Sequence, residues 1–245
     1  MKAATFFPCV LLLLLPLVAQ AAGPVVGAHD LTITLDPARH RLSGVSVLTL
    51  NAGDGERLSL RLARRATVEA VTCDGAPASP AFGAGHLEIP LPHPSHGGTR
   101  RVEIRYSCLF DEPLPQRFLN SEEPSYGISG IISPEGTFLG TDADWYPRPA
   151  IPAERFTITV DAPAGTEAVT AGKRLKRGTA GPRSRSVWEI RQPLGSVSLA
   201  AGNYRVRERS ADGIPVYTYF TAQNDSLAER YLAATVKYLR AYRKL

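Results

Sequence analysis

The sequence predicts an all-β fold, a saddle-like antiparallel β-sandwich followed by one C-terminal amphipathic α-helix. Three observations predict it. Between residues 29 and 199 apolar and polar residues alternate in short runs, the period-two signature of half-buried strands. The 20 prolines and 21 glycines of the chain punctuate those runs, so that many short strands are separated by turns, as in a sandwich or open barrel. Past Asp225 the pattern changes once, to a helical period that continues to the last residue.

The first clear strand is Leu31-Thr32-Ile33-Thr34-Leu35, stopped by Pro37. Residues 44–50, 57–62, 66–73, 86–89 and 101–108 follow as further alternating runs, with Asp54-Gly55, Asp74-Gly75 and the stretch 92–98 as turns. A second series occupies 155–160, 168–172, 186–191 and 197–200, with Ala162-Pro163-Ala164-Gly165 as a turn. Between the two series, residues 110–152 are rich in proline and glycine and carry Tyr126, Phe138, Trp145 and Tyr146 among charged residues. A long ordered excursion of this kind either serves recognition or closes one end of the sandwich as an apolar flap. A last strand pair at 204–209 and 216–220 leads into the helix. There Asn224, Asp225 and Ser226 offer an N-cap, and Glu229 stands in the capping-box position relative to Ser226. Leu227, Tyr231, Ala234, Tyr238 and Tyr242 form one stripe of this helix, which requires a surface to pack on.

The N-terminus reads as an export signal: Lys2, an apolar run over 6–18 and the small-residue site Ala19-Gln20-Ala21. The run is shorter than the ~20 residues a membrane-spanning helix needs, and no later segment is longer. The expected organisation is therefore a signal peptide at 1–22, a β-sandwich domain at 23–222 and the start of a helical segment at 223–245. The expected location is the periplasm or the extracellular space. Cys9 leaves with the signal. Cys73 and Cys108 remain, and in an oxidising compartment a disulfide between them and a pair of free thiols are both open.

The formal net charge of +5 is concentrated at 173–185 and 230–244. Such runs are usually solvated surface; a nucleic-acid surface needs basic residues interleaved with exposed aromatics on one face, and an exported protein rarely meets that partner, so no nucleic-acid partner is expected. Catalytic patterns are absent as well. The five histidines include no His-Glu-x-x-His pair. His93 and His96 sit in a loop that is a poor scaffold for a metal. Gly127-Ile128-Ser129-Gly130 falls one position short of a nucleophile elbow, and Gly83-Ala84-Gly85 lacks the following helix of a phosphate cradle. Glu122-Glu123 and the Asp142/Asp144 pair read as solvated acids.

In one respect the order of motifs is specific. His29-Asp30-Leu31-Thr32-Ile33-Thr34-Leu35-Asp36-Pro37 precedes Leu42-Ser43-Gly44; Phe138-Leu139-Gly140-Thr141-Asp142-Ala143 precedes Trp145-Tyr146-Pro147; and Ala201-Gly202-Asn203-Tyr204 precedes Gly213-Ile214-Pro215-Val216. In this order the chain resembles the N-terminal region of the M1 zinc metallopeptidases, the aminopeptidase N group, over most of its mature length. The resemblance implies a β-sandwich that packs on a zinc-bearing helical domain and caps its cleft, with that domain or the peptide substrate as partner. Zinc belongs to the full-length family. This chain has no cofactor of its own to expect, because it contains neither His-Glu-x-x-His nor the family's Gly-x-Met-Glu-Asn, its one methionine being Met1. The resemblance assigns Thr137, Leu139, Thr141, Asp142, Trp145 and Tyr146 to a loop facing the substrate cleft. Thr137 and Leu139 stand where the family places a glutamine and a glutamate, and neither pairs with a peptide amine. Leu227, Tyr231, Ala234 and Tyr238 are assigned to packing on the catalytic domain. An independent β-sandwich module binding carbohydrate or protein through Tyr126, Trp145 and Tyr146 is the alternative. Asn224-Asp225-Ser226 would be a glycosylation site in a eukaryotic secretory pathway.

Overall fold

The computed structural model describes residues 24–51, 55–92, 98–113 and 127–244. The signal segment, the His93/His96 loop, Glu122-Glu123 and Tyr126 lie outside the described residues. The strands are β1 (Val26–Asp36), β2 (Arg41–Leu50), β3 (Arg57–Arg61), β4 (Thr67–Cys73), β5 (Ala76–Pro77), β6 (Ala81–Gly83), β7 (His86–Pro90), β8 (Arg100–Leu109), β9 (Gly130–Ser133), β10 (Gly136–Leu139), β11 (Arg148–Pro149), β12 (Arg155–Pro163), β13 (Glu167–Thr170), β14 (Lys173–Ala180), β15 (Arg183–Ile190), β16 (Leu199–Gly202), β17 (Arg205–Ala211) and β18 (Ile214–Phe220). One helix, α1 (Ala228–Tyr242), follows a 3-10 turn at Ala222–Leu227.

An eight-stranded sheet in the order β14-β15-β12-β1-β2-β8-β4-β5 forms the largest layer. Its neighbours are antiparallel except β1 and β12, which pair in parallel with Leu31 opposite Ile158. Alternation is near-perfect in β1 and β2, so that Leu31, Ile33, Leu35, Leu42 and Leu48 all point to one buried face. Two four-stranded sheets, β13-β16-β10-β9 and β11-β3-β7-β6, add their own inner faces. Leu58, Leu60, Leu87 and Ile89 of one and Ile132, Leu139 and Leu199 of the other share a single core with Ile33, Ile104 and Trp188 of the large sheet. This is the predicted sandwich.

Gly44 explains part of the Leu42-Ser43-Gly44 motif. A Cβ at this position would collide with the Tyr106 ring. The ring lies flat over the glycine and carries its hydroxyl to the Trp145 carbonyl, a 3.1 Å bond that ties the large sheet to the central loop.

Several expectations are corrected. The basic run 173–185, for which no strand was expected, forms most of the edge hairpin β14–β15; β14 is largely exposed, and Trp188 of β15 is buried. Region 110–152 is not without regular structure: its described part contains the β9–β10 hairpin and β11. Cys73 and Cys108 are free and buried. Cys73 is aligned with Val102 on β8, and Cys108 lies six residues farther along that strand, about 20 Å away at ~3.3 Å per residue. No bridge spans that distance.

The hairpin β17–β18 and α1 form a second, smaller core of Ala211, Val216, Leu232 and Val236, joined by Leu239. The stripe identified in the sequence is not the one that packs here. Ala228, Leu232 and Val236 are buried, whereas Tyr231, Tyr238 and Tyr242 are 53%, 60% and 69% exposed. Nor does the capping box form, because α1 has no side-chain cap. Asp225 instead receives two bonds from Arg207, at 3.0 and 2.7 Å, and Glu229 one from Arg209 at 2.7 Å. Strand-to-helix ion pairs replaced the local bond, since every second residue of β17 facing the helix is an arginine.

Candidate functional site

The resemblance places the site on the segment that runs from β10 through residue 149. Strand β10 alternates, so Thr137 and Leu139 face inward and are buried while Phe138 faces outward and is half-buried. At Gly140 the strand ends in a turn: the Gly140 N–H donates to Ser129 O at 2.7 Å and the Ala143 N–H to Gly140 O at 3.2 Å. The turn lifts Thr141 and Asp142 into solvent, and Ser129 Oγ donates to Asp142 at 3.0 Å.

Asp144 then takes a left-handed conformation, φ 46°, and turns its carboxylate back under the loop. Arg61 Nε donates to it at 3.0 Å and Arg148 through two nitrogens at 3.2 and 2.7 Å. The Asp144 carbonyl accepts the Ala63 N–H at 2.7 Å, which ties the loop to the end of β3. Trp145 is 1% exposed, with its indole N–H donating to Val197 O at 3.0 Å. Tyr146 meets Trp145 edge-on and tilts against Phe156, which stacks on His29 at 4.4 Å. Burial pushes the Tyr146 phenol up to about 12.

The six residues assigned to the cleft loop thus divide. Thr137, Leu139, Trp145 and Tyr146 belong to the core, and only Thr141 and Asp142 are exposed. This corrects the aromatic-platform alternative, because neither Trp145 nor Tyr146 offers a ring face to a ligand. Above the loop lies a groove of about 430 Å³ lined by Arg61, Arg65, Phe110, Ser129, Asp142 and Cys108. Two of its arginines are engaged: Arg61 with Asp144 at 3.0 Å and Arg65 with Asp111 at 2.5 Å. The Cys108 thiol is pushed up to about 11, chiefly by burial, so it is not a nucleophile at neutral pH.

The histidine that opens the first motif is structural. His29 is 1% exposed and its Nε2 lies 2.8 Å from Ser46 Oγ. Desolvation lowers its pKa from 6.5 to about 3, so the ring is neutral. His40 Nδ1 donates to Ile132 O at 2.6 Å and joins β9 to the turn after β1. Among the described residues no three His, Cys, Asp or Glu side chains converge to hold a metal ion. Zinc, which the resemblance attaches to the full-length family, finds no fitting donor set in them.

The M1 zinc metallopeptidase from Deinococcus radiodurans superposes with a TM-score of 0.60 at 22% identity over 80% of this chain. The chain carries the fold of the N-terminal part of the M1 zinc metallopeptidases. A variant of the same enzyme bound to a Tyr-Ser-Ala substrate gives 0.61 at the same identity, as does a two-domain M1 metallopeptidase variant bound to L-tryptophan. The chain spans 47% of the length of each. No family model matches the sequence, and neither does any curated protein. The M1 likeness is therefore one of fold, and it fits the order of sequence motifs.

Two features lie outside the residues that the sequence pattern singles out. Ala228, Leu232, Val236 and Leu239 recur at spacings of four, four and three, a second helical stripe beside the tyrosines. Arg174 sits in the basic run but is 13% exposed in its side chain, with its guanidinium 4.3 Å from the Tyr217 ring centroid and 3.1 Å from Tyr219 Oη. It fastens the edge of the large sheet to the β17–β18 hairpin, a contact no linear pattern reveals.

Proposed function

We propose that the chain is the non-catalytic N-terminal domain of an exported M1-type zinc aminopeptidase, with peptide hydrolysis carried out by the full-length protein and a cleft-capping role for this part. The observation that carries this reading is the fold: 80% of the chain superposes on M1 metallopeptidases of which it covers 47%. Residues 1–22 act as the export signal, 23–222 form the capping domain, and 223–245 begin the helical segment, held against the hairpin before it. Phe138, Thr141 and Asp142 are what the cleft loop offers a substrate, and the exposed tyrosines of α1 supply an apolar face for the catalytic domain. No helix among the described residues is long and apolar enough to cross a membrane.

The test is to sequence the coding DNA past the codon for Leu245 and assay the full product on amino-acid anilides, with and without a chelator. A continuing frame with His-Glu-x-x-His and chelator-sensitive release is expected. A stop codon with no activity would overturn the reading and leave a stand-alone binding module.

A further inference from the structure

Hairpin β17–β18 is closed by Asp212 and Gly213, both left-handed at φ 50° and 84°, the signature of a two-residue turn with positive φ at both positions. Such a turn makes Ala211 and Ile214 a hydrogen-bonded pair, and the alternation of an antiparallel ladder then aims the N–H and C=O groups of Val206, Glu208 and Ser210 away from β18. Among the described residues no strand pairs with that outer edge of β17. The outer edge of β18 is different, because Pro215 removes a donor there and blunts it. A two-stranded sheet is marginal alone, and β17 is the side whose outward donors are all intact, whereas β18 lacks the one at Pro215.

Beside this edge lies an open groove of about 630 Å³ between β17 and α1. Ala233, Val236 and Ala241 form a small-residue floor, and Arg209, Lys237, Arg240 and Lys244 form the walls. Arg209 pairs with Glu229 and Arg240 with Asp212, at 2.7 and 3.7 Å. Lys237 and Lys244 have no such ion pair among the described residues, and no carboxylate lines the groove.

We propose that the β17 edge and this groove receive an extended acidic peptide segment of a partner polypeptide, which adds as a third strand. The backbone edge supplies three spaced donor and acceptor positions. Alternate side chains of the added strand enter the groove, where short apolar groups meet Ala233 and Val236 and carboxylates meet Lys237 and Lys244. Charge selects the occupant. A second copy would set Arg205, Arg207 and Arg209 against themselves, and like charges directly opposite across strands repel. Nothing in this surface depends on the peptidase reading.

The test is fluorescence anisotropy of the intact chain with a labelled peptide of alternating glutamate and valine, beside its lysine/valine counterpart. The acidic peptide is expected to bind and the basic one to fail. The charge reversals Lys237→Glu and Lys244→Glu together should weaken binding at least tenfold. Methylating the alternate peptide nitrogens that face the strand edge should do the same with no change in charge and no change to the protein. Hydrogen exchange should show Val206, Glu208 and Ser210 amides protected only when the acidic peptide is present. Binding that survives N-methylation would mean adsorption by charge alone and would overturn strand addition. Displacement of the peptide by phosphatidylglycerol vesicles would assign the groove to a lipid surface, and concentration-dependent dimerisation without peptide would assign it to a second copy; each overturns the proposal, as does no binding at all.

Discussion

Acidification should destabilise this protein in part through one buried residue, His29. In the native state its ring lies between Ser46 and Phe156, with Tyr146 beside it and no carboxylate bonded to it among the described residues, and its pKa falls from 6.5 to about 3. Above pH 6.5 the imidazole is neutral in both folded and unfolded chains and contributes no pH dependence. Between 6.5 and about 3 the unfolded chain takes up a proton that the folded chain refuses, so stability falls with pH by about 1.4 kcal/mol per unit. The loss is about 2 kcal/mol at pH 5 and approaches about 5 kcal/mol by pH 3, comparable with the whole stability of many domains. Carboxylates held low by arginines, such as Asp225 beside Arg207, lose stability over the same acid range and must be subtracted. The assay is therefore a comparison of wild type with His29→Gln by denaturant melts from pH 7.5 to 4. The variant keeps a donor for Ser46 and cannot titrate, so it should start less stable and approach the wild type as pH falls. Parallel curves for the two proteins over that range would refute the reasoning.

Other perturbations have equally definite outcomes. Trp145→Ala should cost about 3–5 kcal/mol, read as a lowered denaturation midpoint, because it empties a buried site and leaves the Val197 carbonyl without its donor; an unchanged melting temperature would instead mean an exposed recognition surface. Gly44→Ala should destabilise by more than the usual small cost of a strand glycine replacement, since its methyl group meets the Tyr106 ring, and Tyr106→Phe should not relieve it. Mass spectrometry after alkylation of the denatured, unreduced protein should find Cys73 and Cys108 both modified, and the native protein should react slowly because burial raises both thiols. Arg174→Ala should loosen the β17–β18 hairpin by about 1–2 kcal/mol through loss of the stacking on Tyr217, visible as faster amide exchange in β18 with β1 and β2 unchanged.

What was legible in the sequence was whatever depends on local period. The first motif reads as a strand because Leu31, Ile33 and Leu35 alternate with threonines, and the structure buries the leucines and isoleucine at 0–1% exposure. β14 was not legible. It is an edge strand with charges on both faces, so burial imposes no alternation on Lys173, Arg174, Lys176 and Arg177, and a bulge between Arg174 and Lys176 shifts what alternation remains. The cleft loop failed differently. A tryptophan and a tyrosine among charged residues read equally well as a binding platform or as core, and what decides between them is three-dimensional: the Tyr106 hydroxyl and Val197 carbonyl that anchor Trp145 lie 39 and 52 residues away in sequence.

The helix shows why a periodic pattern is not yet a packing assignment. α1 has two apolar stripes a third of a turn apart, one of Ala228, Leu232 and Val236 and one of Tyr231, Tyr238 and Tyr242, and both satisfy the 3.6-residue period. The hairpin takes the aliphatic one because Ala211 and Val216 leave a shallow surface into which a branched side chain fits and a phenol does not. Arg207 and Arg209 then lock the register of helix on strand by gripping Asp225 and Glu229. The tyrosines remain outside, with Phe220 tilted against Tyr231 at 5.5 Å as the first contact of a larger apolar face. Tyrosine suits such a position, since its ring supplies contact area while its hydroxyl keeps the surface wettable until a partner covers it. The same helix can therefore be packed on its own hairpin and still present a face to a second domain, so the packing seen here does not by itself argue for a self-sufficient module.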